Sequence, residues 1–331
     1  LALAINPERE AAAEIQRILR FPTARNVDFF GHGKVDLLSF VANKNCFLTD
    51  KAIKDSFSKI KTQALVCAIM RGKDVFIPTG DFVIRENDTV AVLTPAKTAP
   101  GFFKQIGYRT NDIKNIMIIG GGKIALYLAK TLNHLNVCTT IIEKDLDTAL
   151  NLSSILPNVN VVHGDGTNRS LLLEEGLLEA DAFCCLTGID EENIVLSLFA
   201  KNNAPEIKTI TKVNHTLFRE VVETLDIDSV VYPKFTTASI ILKNVRAQVA
   251  GNERNEVHKL TRIINNKVEA IEFNVTADSR LIGHQIQYLD LRKNILLGSI
   301  TRNKEVIIPR GTDVLQEGDS VVVVTTTERL A

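Results

Sequence analysis

Residues 120–125 read Gly120-Gly121-Gly122-Lys123-Ile124-Ala125 and fit the pattern GxGxxG/A, with Ala125 in the third small position. Glycine-rich turns are common, so the pattern takes its meaning from its surroundings. The apolar run IKNIMIIG precedes it, a helical pattern KIALYLAKTLNHL opens on it, and Glu143 ends the next apolar run, twenty-one residues beyond Gly122. Strand, glycine turn, helix and a later acid form the dinucleotide-binding arrangement. The glycines let backbone N–H groups approach a pyrophosphate, which also sits at the positive end of the helix. Glu143 is placed to accept hydrogen bonds from the ribose diol of an adenosine. A carboxylate there repels a 2′-phosphate, which disfavours NADP against NAD or ATP/ADP. The competing reading is a fold that keeps the turn and binds nothing.

The following strand ends extend the candidate set. In VVHGDGTN, Asp165 can meet an adenine edge, with Gly166 beside it, or the segment is only a turn. In CCLTGIDEENI, Thr187 and Gly188 fall at the carboxyl edge of the sheet, where ligands bind in open α/β folds. Thr187 or Asp190 could equally cap the helix that starts near Glu191. Lys212 ends ITKVN and is either a phosphate contact or a solvated strand end. Lys123, Ile124 and Lys144, beside the glycines and Glu143, complete the set. Gly31-His32-Gly33 is a decoy: it joins VDFF directly to VDLLSF, and reads as a hairpin turn.

Strand and helix patterns alternate throughout residues 113–232, which predicts a doubly wound parallel sheet of the Rossmann-like α/β class. On either side lies one copy of an internal repeat. Lys34, Val35, Phe40, Leu48 and Ile53 match Lys267, Val268, Phe273, Leu281 and Ile286 at an offset of 233. Pro78, Gly80, Val83, Glu86 and Asp88 then match Pro309, Gly311, Val314, Glu317 and Asp319 at an offset of 231, within segments headed by Arg71 and Arg302. VDLLSF and VEAIEF alternate with period two, as half-buried strands do. Each copy therefore predicts a small α+β lobe.

The resulting division is a leading helix in 1–26, a first lobe in 27–96, a linker in 97–112, the sheet domain in 113–232, a connecting helix in 233–256 and a second lobe in 257–331. Asn6-Pro7 aligns with Tyr232-Pro233, each ahead of an amphipathic helix. On that alignment, 1–26 is the closing helix of a first unit that lacks its own sheet.

Bulk properties exclude several classes. The chain has 331 residues, 45% hydrophobic and 24% charged, with 39 basic and 39 acidic side chains. No net field or basic stripe favours nucleic acid. No apolar run reaches the length of a membrane span. The start lacks a basic n-region, so a signal peptide is not expected. Five scattered cysteines without a CxxC pair suggest a reducing, cytoplasmic setting with buried thiols. The six histidines form no HExxH and no close cluster, so no metal site is expected. The lobes show no His–Asp or Lys–Tyr constellation for hydride chemistry.

Taken together, INPEREAAAEIQRILRFP, IMIIGGGKIALYLAK, HGDGT, LTGIDEENI, YPKFTTASIIL and both IPxG-containing lobes resemble the TrkA family of potassium-uptake regulators, within the RCK/KTN group. The resemblance covers essentially the whole chain. It implies units made of a nucleotide-binding N-lobe, a crossover helix and a C-lobe, with one of two expected nucleotide sites present here. It further implies a non-enzymatic pocket that senses NAD(H) or ATP/ADP through the glycine turn, Glu143 and Asp165. The implied partners are copies of the chain, as dimers or a tetrameric ring, and a TrkH-like membrane subunit, met at the inner face of the plasma membrane. Small residues in the crossover helices, near Ala11–Arg20 and Thr236–Val245, would pack dimer partners, unless they serve packing within the chain. The rival classes are an NAD-dependent oxidoreductase and a nucleotide-free oligomeric scaffold.

Overall fold

The structure is a computed structural model. It describes residues 5–31, 33–108, 113–215, 219–222, 225, 227–238, 240–241, 257–264, 267–289, 291 and 294–326. Two compact units emerge, each built from two stretches of chain. One comprises residues 1–22 with 111–240, and the other 23–110 with 241–331.

Helix α1 (Pro7–Arg20) starts where Asn6 accepts a hydrogen bond from the Arg9 amide at 2.9 Å. Pro7 occupies the first turn, Glu8 and Glu10 lie near the positive end of the helix dipole, and Arg17 and Arg20 near the negative end. Its apolar face, Ala11, Ala12, Ile15, Ile18 and Leu19, belongs to the sheet-domain core.

The first small lobe holds β1 (Asn26–Phe30), β2 (Val35–Val41), β3 (Lys51–Ala52), α2 (Ile53–Phe57), β4 (Leu65–Arg71), β5 (Asp74–Phe76), β6 (Val83–Ile84) and β7 (Thr89–Pro95). Its main sheet has the order β1-β2-β7-β4-β5. Gly31 and Gly33, both at positive φ, turn β1 into β2 in register Phe30↔Val35, as the hairpin reading expected. His32 itself lies outside the described residues. The predicted linker 97–112 contains a further helix, α3 (Ala99–Gln105), whose Phe102 and Phe103 are buried. Phe103 meets Phe40 edge-on with 5.4 Å between ring centres, so this segment completes the lobe.

The sheet domain follows: β8 (Asn115–Ile119), α4 (Lys123–His134), β9 (Cys138–Glu143), α5 (Leu146–Ile155), β10 (Asn160–His163), α6 (Arg169–Glu174), β11 (Ala182–Cys185), α7 (Asp190–Asn203), β12 (Lys208–Lys212), α8 (Arg219–Val222) and β13 (Ser229–Val231). The six strands run parallel in the order β10-β9-β8-β11-β12-β13, the doubly wound sheet that the alternation predicts. The strand order reverses between β9-β8 and β11, and this is where such folds open a crevice. Helix α1 packs along α4 and reaches β13, so Ala11 and Ala12 are buried within this chain. Thr236, in the helical stretch 233–238 that follows β13, donates to the Glu14 carboxylate at 2.5 Å. The end of the expected second crossover helix, 242–245, lies outside the described residues.

The second lobe repeats the first: β14 (Val257–Ile263), β15 (Val268–Asn274), β16 (Ile295–Arg302), β17 (Glu305–Ile307) and β18 (Ser320–Thr326), in the order β14-β15-β18-β16-β17. The repetition reaches individual bonds. Arg71 grips Asp88 through Nε at 2.9 Å and Nη2 at 2.7 Å, and its Nη2 also donates to the Val83 carbonyl. Arg302 grips Asp319 at 2.8 and 2.7 Å, and donates to the Val314 carbonyl. β4 and β16 even carry a register shift at matching places, around Cys67 and Gly298.

The two lobes share a core. Phe30, Val35, Leu37, Ala68, Ala91 and Leu93 of the first meet Ile263, Val268, Ala270, Val322 and Val324 of the second. Lys34 donates to the Lys304 carbonyl, and its counterpart Lys267 donates to the Lys73 carbonyl. This exchange is what an internal two-fold axis produces.

No helix among the described residues is long and apolar enough to cross a membrane. Four of the five cysteines are buried as expected, but Cys138 is exposed at the start of β9.

Candidate functional site

The predicted residues lie at the carboxyl ends of β8, β9, β10 and β11 and, for Lys212, of β12. Gly120 leaves β8 at φ +94°, a backbone conformation that glycine adopts without a Cβ penalty. A Cβ there would lie 3.0 Å from the Thr187 amide nitrogen, so the turn is pressed against the end of β11. A Cβ on Gly121 would lie 2.5 Å from Leu152 Cδ1 and 3.0 Å from Glu143 Oε2. Gly122 differs: it is the N-cap of α4, supplies no side-chain cap, and its Cβ direction faces open space. The first amides of a helix have no intrahelical partners. Those of α4 therefore point past Gly122 toward the crevice, behind a surface that a side chain would fill. Ile124 is buried in the core and Lys123 is exposed, so Ile124 can offer a ligand only its backbone.

Glu143 is held in place from two sides. Gly121 N–H donates to its Oε2 at 2.5 Å and Asp145 N–H to its Oε1 at 2.8 Å. Asp145 in turn caps α5 by accepting from the Thr148 amide at 2.8 Å. The acid at the end of β9 is thus fixed directly over the glycine turn, where a sugar attached to turn-bound phosphates would pass.

At the end of β10, Asp165 accepts from the Thr167 amide at 2.9 Å and from the Thr167 hydroxyl at 2.7 Å. Lys144 Nζ reaches the other carboxylate oxygen at 2.7 Å. The Lys144 bond, then the Thr167 bonds, hold the Asp165 carboxyl far below the usual range, and the same pair raises Lys144. Asp165 therefore forms both the turn of one sequence reading and a charged group at the crevice. Gly166 next to it packs on β8: a Cβ would lie 2.3 Å from Ile119 Cγ2.

Across the crevice, Thr187 does not cap α7. Its hydroxyl accepts from the Ile189 amide at 3.2 Å, and Ile189 is the N-cap residue, with no side-chain bond to the helix. Gly188 follows with open space on its Cβ side. Asp190 is not the cap either. Its buried carboxylate accepts from the amides of Asn214 at 2.9 Å and His215 at 2.8 Å, with His215 Nδ1 at 2.9 Å. Burial alone would raise its pKa, but these bonds outweigh burial and bring it below the usual range. The pair ties the loop after β12 to the start of α7.

Lys212 is not a freely solvated strand end: its ammonium is held at the end of β11, beside the residues against which Gly120 packs. It is half-buried, and its ammonium donates to the Leu186 carbonyl at 3.1 Å. Burial lowers its pKa. The residue that sequence reasoning missed is Asn193. Fully buried in α7, it accepts from the amide and hydroxyl of Thr187 and donates to the carbonyls of Thr187 and Lys212. A polar residue on the inward face of a helix just after the strand-end turn is the signal that could have found it.

Among the described residues no group of His, Cys, Asp and Glu is arranged to hold a metal ion. The residues present suit an adenosine phosphate: backbone donors for phosphate at α4, a fixed carboxylate for a ribose diol, and a flanking carboxylate on the β10 loop.

Comparison with known proteins identifies two domain families along the chain. The TrkA-N domain family matches residues 116–233, and the TrkA-C domain family matches twice, over 37–107 and 270–331. Trk system potassium uptake protein TrkA homolog 1 of Methanosarcina mazei is 31% identical over 322 residues, covering 97% of this chain and 70% of that protein. The TrkA protein of Halomonas elongata is 30% identical, covering 96% of this chain and 68% of its own length. Among solved structures, the GsuK RCK domain shares the fold with a TM-score of 0.53 and 17% identity, over 98% of this chain and 68% of that one. The GsuK channel bound to NAD does so with a TM-score of 0.54 at 17% identity, over 97% of this chain and 56% of that one. With both domain families matched in order and relatives aligned along almost its whole length, the chain belongs to the TrkA family of Trk-system potassium-uptake proteins.

Proposed function

We propose that the chain is a nucleotide-sensing regulatory component of potassium uptake, and that its ligand is NAD(H) or ATP/ADP. The observation that carries this reading is the pairing of the side-chain-free start of α4 with the Glu143 carboxylate held 2.5 Å from the Gly121 amide. Phosphates lie on the α4 amides, the adenosine ribose donates to Glu143, and the base extends toward the β10 loop. The NAD held by the GsuK channel, a protein of the same fold, supports a dinucleotide as one candidate.

In this reading the ligand is bound and released unchanged. It acts by favouring one of two shapes of an assembly of these chains, a dimer or tetrameric ring beneath a TrkH-like membrane subunit. A ligand shifts such a balance only by the difference in its affinity for the two shapes. Titration calorimetry with NADH, NAD⁺, ATP and ADP tests the binding step. Heat from at least one of them, with NADH absorbance unchanged over hours, supports the reading, and silence with all four refutes it. Glu143→Ala is expected to weaken binding by about tenfold, the cost of a charge-assisted hydrogen bond. Unaltered affinity removes Glu143 from the site. Potassium flux through vesicles carrying the membrane subunit, with and without the tightest ligand, tests the gating step.

A further inference from the structure

Lys144 follows the acid that would meet the ribose, and a cation at that place is what a 2′-phosphate needs. In this chain the cation is committed elsewhere. Its Nζ lies 2.7 Å from Asp165 Oδ2, on the neighbouring strand end, while the other Asp165 oxygen is fixed by the Thr167 amide and hydroxyl at 2.9 and 2.7 Å. Asp165 cannot swing toward the ribose to follow Lys144 without losing both Thr167 bonds. Lys144 is otherwise long, exposed and free to reach: 77% of its side chain is accessible against 39% for Asp165. Glu143, by contrast, is locked by two backbone amides at 2.5 and 2.8 Å, which hold its carboxylate over the glycine turn. One fixed anion and one diverted cation thus share the end of β9.

We infer that Asp165 is a positioning residue for ligand selection: by drawing Lys144 toward the β10 loop, it denies a 2′-phosphorylated adenosine its cation and so enforces NAD(H) over NADP(H). This inference rests on the nucleotide-binding reading above, and it assigns rejection of the phosphate to two groups, Glu143 by repulsion and Asp165 by diversion. An exposed ion pair alone is weak, and the bonds from Thr167 are what make the diversion persistent.

The test is the ratio of NADPH to NADH affinity, measured by calorimetry on the full chain for wild type, Asp165→Asn and the double variant Asp165→Asn with Lys144→Ala. Asparagine keeps an oxygen for the Thr167 amide, so the turn is retained. Both ligands share adenine, ribose and pyrophosphate, so any general damage to the pocket cancels in the ratio. Asp165→Asn is expected to raise the ratio by about fivefold, the upper range for an exposed charge pair, and the added Lys144→Ala to return it to the wild-type value. A ratio unmoved by Asp165→Asn, or a gain that survives loss of Lys144, overturns the assignment. Absence of binding by NADH and NADPH in the wild type overturns the assignment at its root. Since ATP and ADP do not enter that comparison, the wider reading falls only if they too are silent.

Discussion

Gly120 and Gly122 stand two residues apart and answer to different demands. Alanine at 120 would place a Cβ 3.0 Å from the Thr187 amide while forcing φ +94° on a residue that resists it. Gly120→Ala is expected to lower unfolding free energy by about 2 kcal/mol in urea titration and to abolish nucleotide heat. Gly122→Ala meets open space at an ordinary φ of −67°. It is expected to unfold within about 0.5 kcal/mol of wild type yet to bind more weakly, because the methyl group stands where the ligand approaches. Asp190 sets an acid limit. Its folded pKa lies below the unfolded value of about 3.9, so its bonds to Asn214 and His215 contribute fully above that pH and are lost as pH falls through the folded value. Acid unfolding followed by circular dichroism is expected to begin below about pH 4, and Asp190→Asn to flatten that limb while lowering stability at pH 7.

Among the elements, the two Arg–Asp clamps anchor the turns that precede β7 and β18. Each aspartate is almost wholly buried, at 1% side-chain exposure, and also accepts a turn amide, Arg85 at 2.8 Å or Gln316 at 2.8 Å. Asp88→Asn and Asp319→Asn are each expected to cost about 2–3 kcal/mol, measured by urea denaturation; a loss under 1 kcal/mol in either would show that water replaces the clamp. Much of this level could be read in the sequence. The period-two strands, the alternating sheet domain and the offsets of 233 and 231 located both lobes and both clamp partners, because spacing survives in a linear string. What stayed hidden depended on how faces meet. Pro100-Gly101 looks like linker chemistry, yet Phe102 and Phe103 beside it are core. Ala11 and Ala12 fit a partner helix or an internal one equally well, and only packing on α4 decides between them. Lys212 and Asn193 show the same limit at the site: nothing in their spacing says that one is drawn into the sheet edge, or that the other is buried beneath Thr187.

For the molecule, the shared core of the two lobes is the feature with the widest reach. Gly298 permits it: a Cβ there would lie 2.3 Å from Leu93 Cδ1, across the interface between lobes. Gly298→Ala alone is expected to cost about 1–2 kcal/mol through overpacking, and Leu93→Ala alone about 3 kcal/mol through the cavity it leaves. Together they are expected to cost at least 1 kcal/mol less than the sum, because the new methyl group enters the vacated space. Strict additivity would mean that these side chains do not meet in solution.

Both halves of that lobe pair reside on one polypeptide, joined through the whole sheet domain. Dilution therefore leaves the association intact, as covalent linkage keeps each half at high effective concentration around the other. The tether also releases the halves from identity. Where the first lobe has Ser39, the second has Glu272, which accepts the Gly31 amide at 2.9 Å and the Ser320 hydroxyl at 2.7 Å. A pairing between separate identical copies would have to place that acid on both sides of the axis at once. Fusion lets a single substitution break the two-fold relation, and so lets one lobe carry a contact that the other lacks.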